Sequence, residues 1–451
     1  MRADENELLT KVGPDTPMGK LIREYWIPLA LSSELVAGGA PVRLRVLGEN
    51  FLGFRSPDGR IGVIDHRCGH RCASLYYGRN EEGGMRCVYH GWKFDTDGQC
   101  VDMPSEPPET DYKERVSIAA ARTSERYGVV WAYFGTRDIP PPLPHFDLDQ
   151  VPESEISTMF LFRECNWLQA MEGDIDTCHV GFLHLGAVGP ERFEEGSINY
   201  YRQLPENLAP KYEAIETAYG NIYCASRPAG ENMYHRIGQY GLPFWTMSPS
   251  DPLGYVRIRA WVPIDDDHAM LVVIAGKRPR GMTYDKDGNV LEGTVAPFRY
   301  LPNSSDWYGR FRIEQNREND HLIDRAVQRH GSYTGIQGIP VQDQAVTESM
   351  GQVVDRTKEH LGTSDRMIML TRRKLMRAAT AFAERGVLPA GIDDPEVYRY
   401  VRAGFLLLPK DQDWLGEFNL HRAEWSSSEA APIERLSRGS APAPVGVPAG
   451  A

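Results

Sequence analysis

The stretch "CGHRCASLYYGRNEEGGMRCVYHGW", residues 68–92, contains three cysteines and two histidines. One residue separates Cys68 from His70, and two residues separate Cys87 from His90. A disulfide, a zinc ion and an iron–sulfur cluster are the candidate explanations for such a segment. Each explanation implies a different kind of protein.

The composition of the whole chain argues against a disulfide framework. The 451 residues contain seven cysteines, an odd number and a small one for a secreted disulfide scaffold. The N-terminal sequence "MRADENELLT" is charged and lacks the apolar centre of a signal peptide, so we expect a cytoplasmic protein. In a reducing compartment, clustered cysteines are more often metal ligands than disulfide partners.

Charge and hydropathy exclude two classes of partner. No run of the sequence approaches the ~20 apolar residues that cross a bilayer, so no membrane association is expected. The formal net charge of −12 argues against nucleic acid as the main partner, because phosphate binding requires a basic surface.

The division of the ligands favours an iron–sulfur cluster over zinc. A zinc ribbon usually presents two Cys-x2-Cys pairs to one ion, whereas here each half offers one Cys and one His. This division suits a two-iron cluster in which two thiolates hold one iron and two neutral imidazoles hold the other. A surface zinc site and chance clustering remain the alternatives. Cys72 belongs to neither half, and we interpret it as a cysteine packed beside the cluster.

The sequence around this segment predicts a small all-β module. In residues 41–68, Val42, Leu44 and Val46 alternate with arginines, and a Pro-Asp-Gly turn at 57–59 precedes a second apolar run. Residues 92–103 read as strand, turn and strand, and "YGVVWAYFG" reads as a buried strand. The proline-rich "DIPPPLPHF" then predicts a linker.

The rest of the chain mixes strands and helices. "GYVRIRAWVPIDDDHAMLVVIAGKR" predicts two strands around an acidic turn, and residues 364–386 predict a helix with one apolar face that includes Ile368 and Leu375. A short helix is predicted over 16–30. The resulting division is listed in chain order: an N-terminal helical segment, 1–39, that packs on the second domain; the all-β domain, 40–140; the second domain, 145–425; and a disordered tail, 426–451, rich in Ser, Ala, Pro and Gly.

A second group of candidate ligands lies in "NWLQAMEGDIDTCHVGFLH", residues 166–184. On a helix, Asp176 and His179 would share a face, while His184 would lie about 140° further round. A helix that bends or ends near Gly181 could bring both imidazoles to one ion. Two histidines and a carboxylate on one side of Fe(II) form the facial triad of non-haem oxygenases.

The pattern "CGH…CVYHGWKFD" resembles the Rieske [2Fe–2S] motif, with Cys68, His70, Cys87 and His90 as ligands; Gly69 stands where relatives often have proline. Together with the second motif, "GKLIREYWIPLALSSEL", "DMPSEP" and "VPIDD" resemble the oxygenase (alpha) subunits of Rieske non-haem iron aromatic ring-hydroxylating oxygenases, in the phthalate dioxygenase-like subgroup. The resemblance covers roughly residues 1–425. It implies an α+β protein: an all-β Rieske domain and a helix-grip (START/Bet v1-like) catalytic domain with an antiparallel sheet and C-terminal helices.

The resemblance also implies roles for the second group. His179 and His184 would bind the mononuclear iron with a carboxylate that comes later in the chain. Asp343 in "VQDQAVTE" stands at the expected place, with Glu348 and Asp355 as alternatives. Asp176 would bridge His179 and the second Rieske histidine, His90, of a neighbouring subunit, which implies a homotrimer or a hexamer.

The implied activity uses O2 and NADH-derived electrons, delivered by a reductase with flavin and an iron–sulfur centre. It hydroxylates or O-demethylates an aromatic substrate, of the phthalate or benzoate carboxylate type for this subgroup. Arg227 and Arg236 are candidate carboxylate-binding residues, since a guanidinium forms paired hydrogen bonds with a carboxylate. A non-catalytic Rieske electron carrier and a two-zinc structural protein are the rival hypotheses.

A local charge contrast suggests where the reductase docks. Five cations lie close in sequence to the cysteine and histidine ligands although the whole chain is acidic, and a basic patch there would attract an acidic redox partner. An ordinary solvated surface, partly neutralised by Glu81 and Glu82, is the alternative. The five cations are Arg67, Arg71, Arg79, Arg86 and Lys93.

Overall fold

The computed structural model describes residues 1–148, 151–203, 208–249, 253, 255–277, 284–289, 298–425 and 433–435. The α-helices, numbered in chain order, are α1 Ala3–Thr10, α2 Pro17–Arg23, α3 Trp167–Ile175, α4 Val180–Leu183, α5 Ile198–Gln203, α6 Arg325–His330, α7 Ile339–Ser349, α8 Arg366–Arg385 and α9 Trp414–Trp425. The strands of the first half are β1 Ile27–Leu31, β2 Val42–Val46, β3 Glu49–Arg55, β4 Ile61–Asp65, β5 Arg79–Glu81, β6 Gly84–Arg86, β7 Lys93–Phe94, β8 Cys100–Asp102, β9 Ala120–Arg126 and β10 Val129–Tyr133. Those of the second half are β11 Ser157–Arg163, β12 Lys211–Glu216, β13 Gly220–Ala229, β14 Asn232–Gly241, β15 Trp245–Met247, β16 Arg257–Pro263, β17 Ala269–Ala275 and β18 Gly404–Pro409.

The first half of the chain forms two antiparallel sheets. A six-stranded sheet has the order β1-β10-β9-β4-β3-β2, and a four-stranded sheet has the order β5-β6-β7-β8. The predicted alternation in β2 is confirmed, since Leu44 and Val46 are buried and the arginines between them are partly exposed. Leu47 and Gly48 join β2 to β3, both with positive φ (51° and 81°), the twist that a two-residue hairpin requires.

The second half is built on an eight-stranded antiparallel sheet of order β11-β17-β16-β15-β14-β13-β12, with β18 paired to β14. One face of β13 and β14 packs on α9 through a buried apolar cluster that includes Ile222, Ile237 and Phe418. The predicted helix over 364–386 is α8, whose Leu375 is fully buried in the main core. The predicted class, an all-β domain followed by an antiparallel sheet with C-terminal helices, is therefore confirmed.

The predicted helix over 16–30 is wrong in its second half. Helix α2 ends at Arg23, and the following apolar residues form β1, which pairs with β10 of the six-stranded sheet. Pro28 lies inside this segment and would remove a backbone donor from a helix interior, whereas the ladder shifts register next to it and accommodates the ring. The helices α1 and α2 contact α8 of the second half. The domain boundaries themselves stay a prediction.

Most of the predicted tail, 426–451, lies outside the described residues. Residues 433–435 are described, and they are packed rather than disordered. Ile433 is buried against α9, and Arg435 forms ion pairs with Glu213 and Asp413. Among the helices described, none has the length and apolar character needed to span a bilayer.

Candidate functional site

Two loops, 68–73 and 87–92, present the four candidate cluster ligands in the first half of the chain; we call them the Cys/His loops. In the first loop, the N–H of Cys68 donates to the carbonyl of Ala73 (2.8 Å) and the N–H of Cys72 donates to the carbonyl of Cys68 (2.9 Å). The first loop follows β4, and the second connects β6 to β7.

The second loop repeats this hydrogen-bond pattern at the same spacing. The N–H of Cys87 donates to the carbonyl of Trp92 (2.8 Å), and the N–H of Gly91 donates to the carbonyl of Cys87 (3.0 Å). Gly91 and Cys72 occupy equivalent positions, and both have positive φ (79° and 59°). Cys72 is exposed, so its interpretation as a packed cysteine is wrong: it is the turn residue that corresponds to Gly91.

The Cys/His loops fit a cluster held by two thiolates and two imidazoles. Cys68 and Cys87 are buried, and the rings of His70 and His90 lie 4.4 Å apart. The Nδ1 atom of His70 is buried and has no hydrogen-bond partner among the described residues, as expected of a metal-binding nitrogen. Burial raises the pKa of the Cys68 thiol to about 11, so a thiolate forms here only if a cation stabilises it.

The second group of ligands is positioned by a break in the helix. Helix α3 ends at Ile175, and Asp176 has extended backbone angles (φ −82°, ψ 125°). The expectation that Asp176 and His179 share a helical face is therefore wrong. His179 is the N-cap residue and His184 the C-cap residue of the single-turn helix α4. Because the chain breaks before His179 and α4 makes only one turn, the two imidazoles converge.

The structure brings Asp343 to these histidines. The Nε2 atoms of His179 and His184 are 3.2 Å apart, and Asp343 Oδ1 lies 3.5 Å and 3.2 Å from them. With metal–ligand bonds of about 2.1 Å at right angles, neighbouring ligand atoms are about 3 Å apart. The three atoms are thus spaced as one face of an octahedral metal site. The ligand atoms of His179, His184 and Asp343 all lie within 4.8 Å of one another, close enough to hold one metal ion.

The two alternative carboxylates are directed elsewhere. Glu348 is fully buried and binds His321 Nε2 at 3.1 Å, and it also accepts from Gln344 and from the backbone of Glu164. Asp355 is bound to Lys358 at the surface. Neither contacts the two histidines.

The electrostatics of the group favour an ionised carboxylate. Burial opposes ionisation of Asp343, but attraction by His184 and its hydrogen bond, with further attraction by His179 and Arg163, lowers the pKa to about 2. Burial alone would lower the pKa of His179, yet the hydrogen bond that it donates to Asp176 and the charges of both aspartates raise it. Both imidazoles thus face the Asp343 carboxylate, a donor set that binds a divalent metal ion.

Asp176 contacts the outer side of His179. Its Oδ2 lies 3.3 Å from His179 Nδ1, and its Oδ1 accepts the backbone N–H of Cys178 at 2.7 Å. Burial opposes ionisation, but the His179 hydrogen bond and charge and the backbone N–H groups lower its pKa. About a quarter of the side chain is exposed (24%), so the carboxylate can also meet a group from outside the chain.

His179, His184 and Asp343 line a cavity of about 170 Å³, which we call the His/Asp pocket. Arg227 and Arg236 both line it, from the adjacent strands β13 and β14. Arg236 is buried (7% exposed) and donates to Thr177 Oγ1 (3.0 Å) and to the Tyr234 hydroxyl (3.5 Å). Among the described residues no carboxylate is ion-paired with it. Burial, and then repulsion by Arg236, lowers the pKa of Arg227.

Two further arginines of the pocket were missed from the sequence. Arg202 of α5 and Arg259 of β16 both line the His/Asp pocket. Arg259 is bound to Asp174 and to Ser248, so its charge is neutralised. The alternation of strand residues in β16 is the signal that could have identified Arg259, whereas Arg202 lies on a short helix whose orientation the sequence does not reveal.

Comparisons with known proteins agree with this geometry. The Rieske [2Fe–2S] domain model matches residues 25–120, and the model described as LigXa C-terminal domain like matches residues 132–435. The 3-chlorobenzoate-3,4-dioxygenase oxygenase subunit of Comamonas testosteroni is 45% identical over 91% of this chain and 96% of its own. The phthalate 4,5-dioxygenase oxygenase subunit of Pseudomonas putida is 35% identical over 91% and 93%. The chain belongs to the Rieske non-haem iron aromatic-ring oxygenases, in the phthalate dioxygenase-like subgroup.

Solved structures of this oxygenase family share the fold. NdmB of Pseudomonas putida CBB5 aligns over 89% of this chain and 99% of its own, with a TM-score of 0.53 and 18% identity. Dicamba monooxygenase bound to 3,6-dichlorosalicylic acid aligns over 81% and 100%, with a TM-score of 0.53 and 16% identity. As a Rieske oxygenase subunit, the chain uses a [2Fe–2S] cluster and a mononuclear non-haem iron, with electrons that a reductase passes on from NADH.

The charged surface of this Rieske oxygenase is less basic than the sequence suggested. Arg79 and Arg86 are both bound to Glu81, and Arg86 is also bound to Asp102. Arg67 and Arg71 are exposed, and the guanidinium of Arg71 lies 5.6 Å from the ring centre of Tyr89. Lys93 Nζ donates to the carbonyl of Glu82 at 3.2 Å. The positive charge next to the Cys/His loops is therefore carried mainly by Arg67, Arg71 and Lys93.

Proposed function

We propose that this oxygenase hydroxylates, or removes a methyl group from, an aromatic carboxylate of the benzoate or phthalate type. The observation that carries the proposal is Arg236, a buried cation that lines the His/Asp pocket and whose hydrogen-bond partners among the described residues are hydroxyl groups. A buried cation without a carboxylate partner is costly, and a substrate carboxylate supplies that partner. Arg227 in the same pocket adds a second cation.

The names of relatives support the same substrate class. They include oxygenase subunits named for 3-chlorobenzoate and phthalate, and a 5,5'-dehydrodivanillate O-demethylase oxygenase subunit of Sphingobium sp. that is 30% identical over 89% of this chain. Dioxygenation and demethylation both occur among these names. The His/Asp pocket is compatible with either reaction.

The chain's own residues divide the work of the reaction. Cys68, His70, Cys87 and His90 would hold the cluster, and His179, His184 and Asp343 would hold the iron. When bound, the cluster supplies electrons one at a time and the iron activates O2 beside the substrate. Arg227 and Arg236 would anchor the substrate carboxylate in the pocket that His179, His184 and Asp343 also line.

Asp176 is proposed to carry electrons between subunits. A carboxylate between two imidazole N–H groups fixes their tautomers and links them through charge-assisted hydrogen bonds. Asp176 contacts His179, while His90 is partly exposed and makes no hydrogen bond to Asp176 within the described part of the chain. A neighbouring subunit would therefore supply the histidine, and a homotrimer or a hexamer built from trimers is the proposed assembly.

The compartment and the reductase site complete the proposal. All seven cysteines are free thiols, which fits the reducing cytoplasm as the location. A flavin- and iron–sulfur-containing reductase would dock next to Arg67 and Arg71, where positive charge adjoins the cluster ligands. The rival hypothesis of a non-catalytic electron carrier does not explain why His179, His184 and Asp343 retain metal-binding spacing.

A substrate screen with a partner reductase tests the proposed function. Substituted benzoates, phthalates and methoxybenzoates are assayed for substrate-dependent O2 uptake and for product mass. A gain of two oxygens and two hydrogens identifies dihydroxylation, and formaldehyde release identifies demethylation. If only neutral aromatics were turned over, the proposed substrate class would be wrong.

The Arg236→Met variant tests the carboxylate partner directly. We expect KM for the best carboxylate substrate to rise about 10–100-fold, because a charge-assisted hydrogen bond contributes about 1.5–3 kcal/mol. The matching carboxamide, which carries no charge, is the control and keeps its KM. Equal effects on the acid and the amide would show that Arg236 shapes the pocket without binding a carboxylate.

A further inference from the structure

Gln342, the residue before Asp343 on α7, is buried beside the iron ligands. It is 1% exposed. Its Oε1 lies 2.7 Å from His184 Nδ1, and its Nε2 lies 2.8 Å from the carbonyl oxygen of Ile336. The side-chain amide thus connects a predicted iron ligand to a backbone segment of the same domain.

The two contacts fix which way the amide points. A carbonyl oxygen only accepts hydrogen bonds, so the atom of Gln342 that faces Ile336 is the NH2 group. The carbonyl oxygen of the amide therefore faces His184. An amide oxygen also only accepts, so His184 must carry its proton on Nδ1. Because Nδ1 is occupied by this hydrogen bond, Nε2, the atom that lies 3.2 Å from Asp343 Oδ1, is the ring nitrogen left to bind a metal ion.

We propose that Gln342 is a positioning residue that fixes the tautomer and ring orientation of His184 for iron binding. This inference rests on the proposed iron site. The outer nitrogen of a metal-binding histidine usually donates to a carboxylate, a carbonyl oxygen or water, and such partners maintain metal affinity. Gln342 is placed to perform this role for His184.

The two histidines thus have chemically different outer partners. His179 Nδ1 faces the carboxylate of Asp176, whereas His184 Nδ1 faces the neutral amide of Gln342. An amide has no proton to exchange near neutral pH, so it holds one tautomer and adds no negative charge to the site. His179 therefore has a charged outer partner, Asp176. His184 has a neutral one, Gln342, which only orients the ring.

The Ile336 contact ties this orientation to the loop before α7. In that loop, the N–H of Tyr333 donates to the carbonyl of Leu185, the residue after His184, at 2.9 Å. Gly335 has φ +68°, and a Cβ there would lie 2.3 Å from the carbonyl oxygen of Asp324. The loop is therefore held in one path, and it supports His184 both through the backbone and through Gln342.

The test compares Gln342→Met with Gln344→Met in enzyme that carries its Rieske cluster. Methionine keeps the length of the side chain and removes both hydrogen bonds. Gln344 is the matched control: it is 2% exposed on the same helix and donates to Glu348, not to a histidine. Ferrous iron affinity is measured by competition with a chelator, and the EPR spectrum of the ferrous site with nitric oxide reports its geometry.

We expect Gln342→Met to weaken iron binding about 10–100-fold and to change the nitric oxide spectrum, with the Rieske EPR signal unchanged. Gln344→Met should bind iron within about twofold of wild type. Wild-type iron affinity and an unchanged spectrum in Gln342→Met would overturn the inference. So would an equal loss in both variants, because helix packing would then be the cause.

Iron binding by the wild type and by Gln342→Met separates the role of Gln342 from the existence of the iron site. If the wild-type protein bound no iron beyond its cluster, the iron site itself would be wrong. If the wild type bound that iron and Gln342→Met bound it equally well, the iron site would stand and only the role of Gln342 would fall.

Discussion

The Cys/His loops take all four of their ligands from two neighbouring turns, whereas the His/Asp pocket takes its ligands from the loop after α3 and from α7. The two loops share one hydrogen-bond pattern, in which Gly91 and Cys72 occupy equivalent positions with positive φ. The His/Asp pocket has no such repeated element. A site made by local turns can be recognised by its spacing, and a site made by packing requires the tertiary fold.

The two sites also face different surroundings. His90 is only partly buried in the Cys/His loops, while His184 is nearly buried, with 9% of its side chain exposed. An imidazole that reaches the surface suits electron exchange with other proteins, and a buried one suits chemistry from which water is excluded. The variants below separate the two sites, from the largest expected effect on activity to the smallest.

Removal of one ligand from each site should abolish turnover by different routes. His184→Ala is expected to lose the mononuclear iron and keep the Rieske EPR signal, because the ligands of the cluster come from the Cys/His loops. Cys87→Ser is expected to lose the cluster signal and retain ferrous iron binding in the His/Asp pocket. Iron analysis and EPR of both proteins check this. Loss of both metals in either variant would mean that the sites do not form independently.

Asp176→Asn should leave both metals bound and lower turnover by about 100-fold or more, because the amide lacks the charge that links two imidazoles. Single-turnover mixing with the reduced cluster measures the electron-transfer step directly. Asp174→Asn is the neighbouring control, since Asp174 is bound to Arg259 and does not contact His179. Wild-type electron transfer in Asp176→Asn would remove the proposed bridge.

The sequence predicted much of this arrangement, and the misses have identifiable causes. The spacing within 68–92 sufficed because tight turns leave few alternatives. Asp176 and His179 have a spacing that fits a helix and a loop equally well, so the break after Ile175 was missed. The sequence alone could not decide whether Asp343 or Glu348 faces the two histidines. Helix α7 is buried on several sides, so packing sets which of its residues point towards the pocket. Gln342 was overlooked because glutamine is not a typical metal ligand.

Charge reversal next to the Cys/His loops should slow electron entry. The double variant Arg67→Glu, Arg71→Glu is expected to lower the rate of cluster reduction by the reductase about tenfold at low ionic strength, with a smaller difference at high salt. Stopped-flow absorbance of the cluster measures this rate. Arg79→Glu serves as the control, because Arg79 is already paired with Glu81. If Arg79→Glu slowed reduction as much as the double variant, the assignment of the reductase docking site to Arg67 and Arg71 would be wrong.

Asp265→Asn, at the junction between the two halves, is expected to have the smallest effect on activity and to act on stability instead. Asp265 accepts from Arg45 Nε at 2.9 Å, from the Tyr308 hydroxyl at 2.7 Å and from His268 Nδ1 at 2.9 Å. Burial opposes its ionisation, but these hydrogen bonds lower the pKa of Asp265 well below its usual range. Asp265→Asn should therefore lower the free energy of unfolding by about 1.5–3 kcal/mol at neutral pH.

The pH dependence of that loss follows from the direction of the shift. A carboxyl group whose pKa is lowered on folding stabilises the protein above its unfolded pKa of about 3.9, and the contribution is lost as pH falls towards the lowered value. Wild type and Asp265→Asn should thus begin to converge in stability only as the pH falls below about 4. Denaturant unfolding at pH 7 and at about pH 3 measures the difference. A gap that widened on acidification would contradict the assigned ionisation.

Quantitative iron and acid-labile sulfide analysis of the wild-type protein, reconstituted anaerobically, tests the central claim most directly. Two separate sites in one chain predict about three irons and two sulfides per chain, with a Rieske EPR signal on reduction. About two irons and two sulfides would contradict the account, since the chain would then carry electrons without a site to use them. Zinc without sulfide would contradict both sites.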